Sequence, residues 1–315
     1  MAPNFSVYSH PIFRPREMPI TTPAMTLVRD ELTRCVWTRQ TGAIITGQSR
    51  AGKTSACRQI ERSPILNRDG SNVPVLYVSI PHRDQSTIKA VFRQLCLSSD
   101  LKISDRDNSD TLCHLYFHHI LDRIHSSPSP NVLLLVDEFQ RLSPDQFDAF
   151  AEIYDVSQRG GIDLTTVFIG NDPECRDLVE KLESDQFSHI YGRFFRHRLA
   201  FTGLASEHQV ASCLRQYDTL RYPDDGPSYT GFFLPQAVQE GWRFESLAPD
   251  LWRIFSEYRS AARITSWGMQ YFSSTINTLL SDVLPHCGVE NHRDEHIHEC
   301  IRISGLLPGL VKPKG

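Results

Sequence analysis

Along the chain, short runs of β-branched and aliphatic residues alternate with longer stretches whose apolar positions recur every three to four residues. The runs Ala43–Thr46, Val73–Ile80, Val132–Val136 and Thr165–Ile169 read as strands, and a fifth is expected at Arg198–Phe201. Helical spacing opens at Met25–Trp37, where Leu27, Leu32 and Val36 repeat, and returns between the strands at Gly52–Arg62, Ser86–Cys96, Asp110–Ile124 and Ser143–Val156. In the last of these, Ser143 fits an N-cap and Pro144 the first helical position. Strands separated by helices predict right-handed βαβ units. The expected fold class is therefore α/β, a parallel sheet buried between helices on both faces.

Beyond Ala205 the strand pattern fades. Helical patterns at Glu207–Tyr217, Pro249–Tyr258, Ile264–Leu284 and Glu295–Ile303 predict a helical second domain beginning near residue 204, with Tyr222–Gly231 as a loop inside it. Before Met25 the chain holds five prolines (Pro3, Pro11, Pro15, Pro19, Pro23) and little periodicity, which predicts an extended arm. The segment from Gly305 to Gly315, with Pro308, Pro313 and two lysines, reads as a flexible tail able to dock a partner. The expected organisation is an arm at 1–24, an α/β core at 25–203, a helical domain at 204–304 and a tail at 305–315.

Composition narrows the class without naming a function. With 315 residues, 40% of them hydrophobic and 22% charged, the chain is globular, which excludes disordered, collagen-like and coiled-coil architectures. The longest apolar run, Val132–Val136, is far too short to span a bilayer, and the N-terminus lacks a charged start followed by an apolar stretch, so a cytosolic protein without a membrane partner is expected. Eight cysteines without a CxxC pair read as reduced, mostly buried thiols. A net charge of −4 excludes bulk electrostatic coating of DNA.

The strongest local chemistry is Gly47-Gln-Ser49-Arg50-Ala51-Gly52-Lys53-Thr54, a GxxxxGKT pattern directly after one expected strand and opening a helix. Glycines allow a tight turn that brings successive backbone amides onto a phosphate chain, and the helix N-terminus adds partial positive charge. Lys53 is expected to reach the β and γ phosphates and Thr54 to offer its hydroxyl to Mg²⁺, with Ser55 beside them. Residues 131–136 form a buried-strand run that ends in Asp137-Glu138. An acid at that strand end faces the phosphate loop, so Asp137 suits the Mg²⁺ shell and Glu138 the polarisation of an attacking water. No NKxD-like guanine selector is present, which favours ATP as the cofactor.

These motifs, followed by Asn171 in Val167-Phe-Ile-Gly-Asn171-Asp-Pro and by Tyr191-Gly-Arg193-Phe-Phe-Arg196, resemble in their order the AAA+ ATPases. The resemblance makes Asn171 a sensor of the γ phosphate, Arg193 an arginine finger with Arg196 as a second contact, and Arg263 in Ser260-Ala-Ala-Arg263 a second sensor on a helical lid. The compact size, Val136-Asp-Glu-Phe-Gln-Arg-Leu142 and the Gly-Asn-Asp-Pro loop are most similar to the TnsC/TniB family of transposition regulators. That resemblance covers about residues 25 to 270. Where many relatives carry a small residue after the acids, this chain has Phe139-Gln140, and a glycine usual before the second sensor is missing.

What the resemblance implies is an ATP-dependent hexameric or heptameric ring, or a helical filament, on double-stranded DNA. It would link a TniQ-like target selector to transposase subunits. A replication initiator or helicase loader of the AAA+ type would share every nucleotide residue, and a nucleotide-switched scaffold would bind ATP with negligible turnover. An arginine acting on a neighbour's phosphate requires a head-to-tail interface between copies.

Charge is unevenly spread. Residues 1 to 60 carry eight basic and three acidic side chains, a local +5, whereas residues 131 to 190 carry four and thirteen, a local −9. Any DNA site must therefore be narrow. Lys102, Ser104 and Arg106, in the polar segment Leu101–Asp110, are the candidates for phosphate-backbone contact on the side where related proteins line their pore, although an ordinary surface loop would look the same. Cys287, His292, His296, His298 and Cys300 place some zinc-like ligands at i, i+4 spacing, but without a paired-ligand motif they read as a solvated helix face.

Overall fold

The computed structural model describes residues 7–14, 20–82, 87–125 and 127–307. The chain divides into a sheet unit, Met25–Ser49 with Lys53–Phe201, and a helical unit, Met1–Ala24 with Arg50–Gly52 and Thr202–Gly315.

The sheet unit is built on five parallel strands: β1 (Gly42–Gly47), β2 (Val75–Ser79), β3 (Asn131–Asp137), β4 (Asp163–Asn171) and β5 (Arg198–Ala200). Their spatial order is β2-β3-β4-β1-β5. Residues Val132 to Val136 of β3 are wholly buried, as the unbroken apolar run requires of a strand covered on both faces. Because β4 lies between β1 and β3, its register aligns Gly47 with Asn171 on one side and Asp137 with Ile169 on the other. Three candidate residues, Gly47, Asp137 and Asn171, are thereby brought to one edge of the sheet, at the carboxyl ends of adjacent strands, where open α/β sheets bind ligands.

Helices α1 (Pro23–Trp37), α2 (Lys53–Arg62), α3 (Ile88–Ser98), α4 (Ser109–Ile124) and α5 (Asp148–Arg159) match the expected intervals, with shifted ends. Thr87 Oγ1 accepts from Ala90 N at 3.2 Å and so starts α3 at Ile88, while Asn108 Oδ1 caps α4 by accepting from Thr111 N at 2.8 Å. The expected start of α3 at Ser86 lies outside the described residues. The stretch expected to begin a helix at Ser143 first makes a 3₁₀ turn, Pro144–Phe147, before α5 takes over. Two short helices, α6 (Arg176–Leu182) and α7 (Ser188–Phe194), have no counterpart in the periodicity reading.

An aromatic cluster braces the sheet below the site. Phe168 of β4 stacks on Phe195 with centroids 5.5 Å apart and meets Phe147 and Phe150 at 5.1 Å each. Phe139, just past β3, joins them through Phe147, Phe168 and Phe195, and is fully buried.

In the helical unit the described part of the arm is not extended. It forms two 3₁₀ turns, Val7–Ser9 and Pro11–Phe13, because His10, Ile12 and Ile20 are buried in the unit's core. The helices are α8 (Glu207–Thr219), α9 (Tyr229–Phe233), α10 (Pro235–Gln239), α11 (Ala248–Ala262), α12 (Met269–Thr278), α13 (Leu284–Cys287) and α14 (Asp294–Ile303). The expected Tyr222–Gly231 loop thus gives way to α9 at Tyr229. The helix expected over Ile264–Leu284 starts later, at Met269, because Trp267 first pairs with Leu204 as an antiparallel bridge. A π-helical turn, Leu279–Val283, joins α12 to α13. Trp267 stacks flat on Phe255, with centroids 4.4 Å apart and an interplanar angle of 2°.

His10 sits in a cage of Tyr222, Tyr229, Phe232 and Phe233, all with ring centroids within 5.1 Å. Its Nδ1 accepts from Ile12 N at 3.2 Å, and Nε2 has no hydrogen-bond partner among the described residues. Burial pushes its pKa down from 6.5 to about 4. Between those values the unfolded chain binds a proton that the native state refuses, so stability falls as pH drops from 6.5 towards 4. A His10→Phe variant should therefore show a shallower loss of Tm over this window than the parent protein. Parallel Tm profiles for the two would exclude this role for His10.

Candidate nucleotide site

The loop after β1 owes its path to a few backbone positions. A Cβ on Gly47 would lie 2.0 Å from the Phe201 carbonyl oxygen, so only glycine lets the strand end pass there. The turn then uses left-handed backbone at Arg50 (φ 64°) and a positive φ of 110° at Gly52 before α2 begins at Lys53. No acidic residue occupies the first turn of α2, which leaves its free amides and partial positive charge for an anion. Gln48, Ser49, Arg50, Thr54 and Ser55 are exposed, whereas Ala51 is buried. Arg50 belongs to the helical unit, where its guanidinium donates to Tyr271 Oη at 2.6 Å and its carbonyl accepts from Gln270 N at 3.3 Å.

Lys53 folds over its own loop. Its Nζ donates to the carbonyls of Gly47 and Gln48, at 2.8 Å each, and only 7% of the residue is exposed. Burial lowers its pKa, opposed by the negative charges of Asp137 and Glu138. Those carbonyls are weaker partners for an ammonium than an anion would be, so the geometry suits a phosphate entering the loop.

Asp137 is the buried anion of the site, 2% exposed. Its Oδ2 accepts from Thr54 Oγ1 at 2.8 Å and from Tyr77 Oη at 2.9 Å, and Oδ1 accepts from Glu138 N at 3.0 Å. A hydroxyl and a carboxylate within one hydrogen bond form the hard oxygen donor set that Mg²⁺ prefers. Burial and the Asp137 charge both raise the Tyr77 pKa, so the phenol remains a donor. The Arg58 guanidinium lies 3.9 Å from the Tyr77 ring centroid.

Glu138 adopts left-handed backbone (φ 62°, ψ 35°) where β3 ends. Its Oε2 accepts from Gln140 Nε2 at 2.8 Å and pairs with Arg141 Nη2 at 3.1 Å. Asn171, at the end of β4, donates its backbone N to Gln140 Oε1 at 3.3 Å and its amide Nδ2 to Glu174 Oε2 at 3.4 Å. Gly47, Lys53, Thr54, Asp137, Glu138 and Asn171 thus lie together at the carboxyl end of the sheet. Tyr77, Gln140, Arg141 and Glu174 join them; Tyr77 and Glu174 belong to no motif, and Gln140 and Arg141 lie within Val136–Leu142 without a role that the sequence assigns.

The remaining candidates stand elsewhere. Arg193, on α7, pairs with Asp155 at 2.8 Å, lies 5.5 Å from the Tyr154 ring centroid, and its carbonyl accepts from Thr41 Oγ1. Arg196 is exposed and makes no ion pair among the described residues. Arg263 is exposed in the helical unit, where it caps α11 in a left-handed conformation at φ 53°. Lys102, Ser104 and Arg106 are all exposed on the loop between α3 and α4. That loop is ordered by its own acids: Asp105 pairs with Arg93 at 2.8 Å, and Asp107 accepts from Ser104 N at 2.7 Å.

All eight cysteines are free, and Cys287 alone is not buried. Among the described residues no three His, Cys, Asp or Glu side chains are grouped to hold a metal ion. In the C-terminal cluster, His292 Nδ1 lies 2.7 Å from the Val289 carbonyl and His298 Nδ1 2.9 Å from Tyr258 Oη. No helix among the described residues is long and apolar enough to cross a membrane.

A Tyr77→Phe change leaves Asp137 one donor short, and a hydrogen bond to a buried charge is worth about 1.5–3 kcal/mol. The variant should lose roughly that much stability in urea unfolding. No measurable loss would mean the Tyr77 phenol is not a structural donor to Asp137.

A family profile described as AAA domain matches residues 38–179. No curated protein matches the sequence. Among solved structures, the Aeropyrum pernix ORC2 protein in its ADPNP–ADP complexes aligns with a TM-score of 0.59 at 12% identity, over 94% of this chain and 72% of that one. Its ADP form aligns with a TM-score of 0.55 at 13% identity, over 92% and 72%. The A. pernix ORC1 protein in complex with DNA reaches 0.49 at 16% identity, over 93% and 68%. Likeness at such identities speaks to the fold alone. Residues 38–179 thus resemble an AAA domain, and the chain carries the AAA+ P-loop fold with a helical C-terminal region.

Proposed function

We propose that the protein is an ATP-hydrolysing AAA+ regulator of DNA transposition that assembles on double-stranded DNA and couples a target selector to a transposase. The observation that carries the nucleotide reading is the convergence of Lys53, Thr54, Asp137, Glu138 and Asn171 at the carboxyl edge of the sheet. Transposition, and the transposase and TniQ-like partners, rest on the TnsC/TniB resemblance of residues 136–142 and 170–173.

In this reading Lys53 leaves the carbonyls of Gly47 and Gln48 for the phosphates, helped by the free amides of α2. Thr54 and Asp137 would hold Mg²⁺, which supplies charge neutralisation on the phosphates when bound. Glu138 polarises the attacking water and Asn171 positions it. Arg196, exposed and unpaired among the described residues, is better placed than Arg193 to reach a neighbouring copy, because Arg193 is held within its own chain by Asp155. Such an arginine predicts head-to-tail assembly.

Glu138→Gln should keep ATP binding, lower phosphate release at least about 100-fold and stabilise assemblies on duplex DNA seen by negative-stain imaging. Lys53→Ala should lose nucleotide and assemblies together, and ATP-independent rings of normal stability in that variant would break the coupling. Negligible steady-state turnover by the parent protein with DNA would identify a nucleotide-switched scaffold instead. Deleting the gene should abolish mobile-element insertion and spare chromosome replication; the reverse pattern would identify a replication initiator.

Charge reversal of both Lys102 and Arg106 should weaken duplex binding about tenfold or more at low salt and flatten its salt dependence. Unchanged affinity would remove this loop from the DNA site.

A further inference from the structure

The carboxylate of Glu138 is held by the turn that follows it. Gln140 Nε2 and Arg141 Nη2 both address Oε2, at 2.8 and 3.1 Å, and Oε1 receives no protein donor among the described residues. Both donors sit on a single 3₁₀ turn, Phe139–Arg141, which is itself anchored at each end. Phe139 is fully buried in the aromatic cluster, and Arg141 Nη1 donates to the Ile80 carbonyl at 2.8 Å.

Gly170 makes the close approach possible. A Cβ there would lie 2.5 Å from the Phe139 ring and 3.0 Å from Gln140 Oε1. Across that gap Gln140 spans the site: its amide donates to Glu138 and reaches Glu174 Oε2 at 3.3 Å, while its oxygen accepts from Asn171 N. One side chain therefore touches both the residue assigned to water polarisation and the strand end assigned to γ-phosphate sensing.

A carboxylate that polarises water needs one oxygen free and its rotation stopped, since misplacement by about 1 Å can cost about 100-fold in rate. Two donors on Oε2 do both. We propose that Gln140 and Arg141 are positioning residues for Glu138, presenting Oε1 as the free acceptor, and that Gln140 ties its orientation to the position of Asn171. This rests on the ATPase reading above.

The test is steady-state ATP hydrolysis by the full chain with duplex DNA, alongside binding of a fluorescent ADP analogue. Gln140→Met and Arg141→Met should each lower kcat about 10- to 100-fold, with KM for ATP and analogue affinity within about twofold of the parent protein. Arg141→Lys, which keeps a cation in reach and is the variant least disturbing to folding, should recover part of kcat. In a Glu138→Gln background neither Met substitution should lower the rate further, whereas a merely structural role would add its own loss and raise KM.

Parent-like kcat in Gln140→Met or in Arg141→Met, together with an inactive Glu138→Gln, would overturn the positioning role and leave the ATPase reading intact. Parent-like kcat in Glu138→Gln itself would remove Glu138 from water polarisation, and the positioning role with it, whereas negligible turnover by the parent protein would sink the ATPase reading.

Discussion

The site depends on one buried charge. A carboxylate that is 2% exposed is tolerable only when its lone pairs are taken up, and Asp137 recruits donors from three separate places. Thr54 comes from the first turn of α2, Tyr77 from β2, and the Glu138 amide from the bend where β3 ends. Satisfying that one anion forces the phosphate loop, two strand ends and the acidic turn to a single point. Lys53, drawn over the loop nearby, balances the charge in the same space.

Sheet order supplies the second condition. With β4 inserted between β1 and β3, Asn171 stands beside Gly47 and one strand away from Asp137. The aromatic cluster on β4 then carries the weight, because Phe168 supports Phe139 and Phe139 sets the turn that holds Gln140 and Arg141. Gly170 is the small residue that makes this contact possible. Packing below the sheet edge thus decides polar geometry above it.

Much of this was legible beforehand, for identifiable reasons. Strands buried on both faces must be apolar throughout, so β1, β3 and β4 announce themselves, and a tight phosphate turn must contain glycine at set places. Tyr77 was not legible, because it acts on Asp137 from 60 residues away, and Gln140, Arg141 and Glu174 lie within three residues of groups they bind but are aimed there only by the folded turns. The arm looked extended since proline content carries no information about the pocket that buries His10. Helices α6 and α7 are too short to build a period. The pairing of Arg193 with Asp155, across 38 residues, is likewise something that no motif reveals.

The tryptophans have an optical consequence. Of the four, Trp242, Trp252 and Trp267 belong to the helical unit and Trp37, partly exposed, to the sheet unit. Trp267, flat against Phe255 and sealed from water, has an emission environment that exists only while the helical unit is packed. Intrinsic fluorescence therefore reads the helical unit in preference to the sheet unit, and far-ultraviolet dichroism reads both. A difference between the two transitions on unfolding would separate the units without any added label.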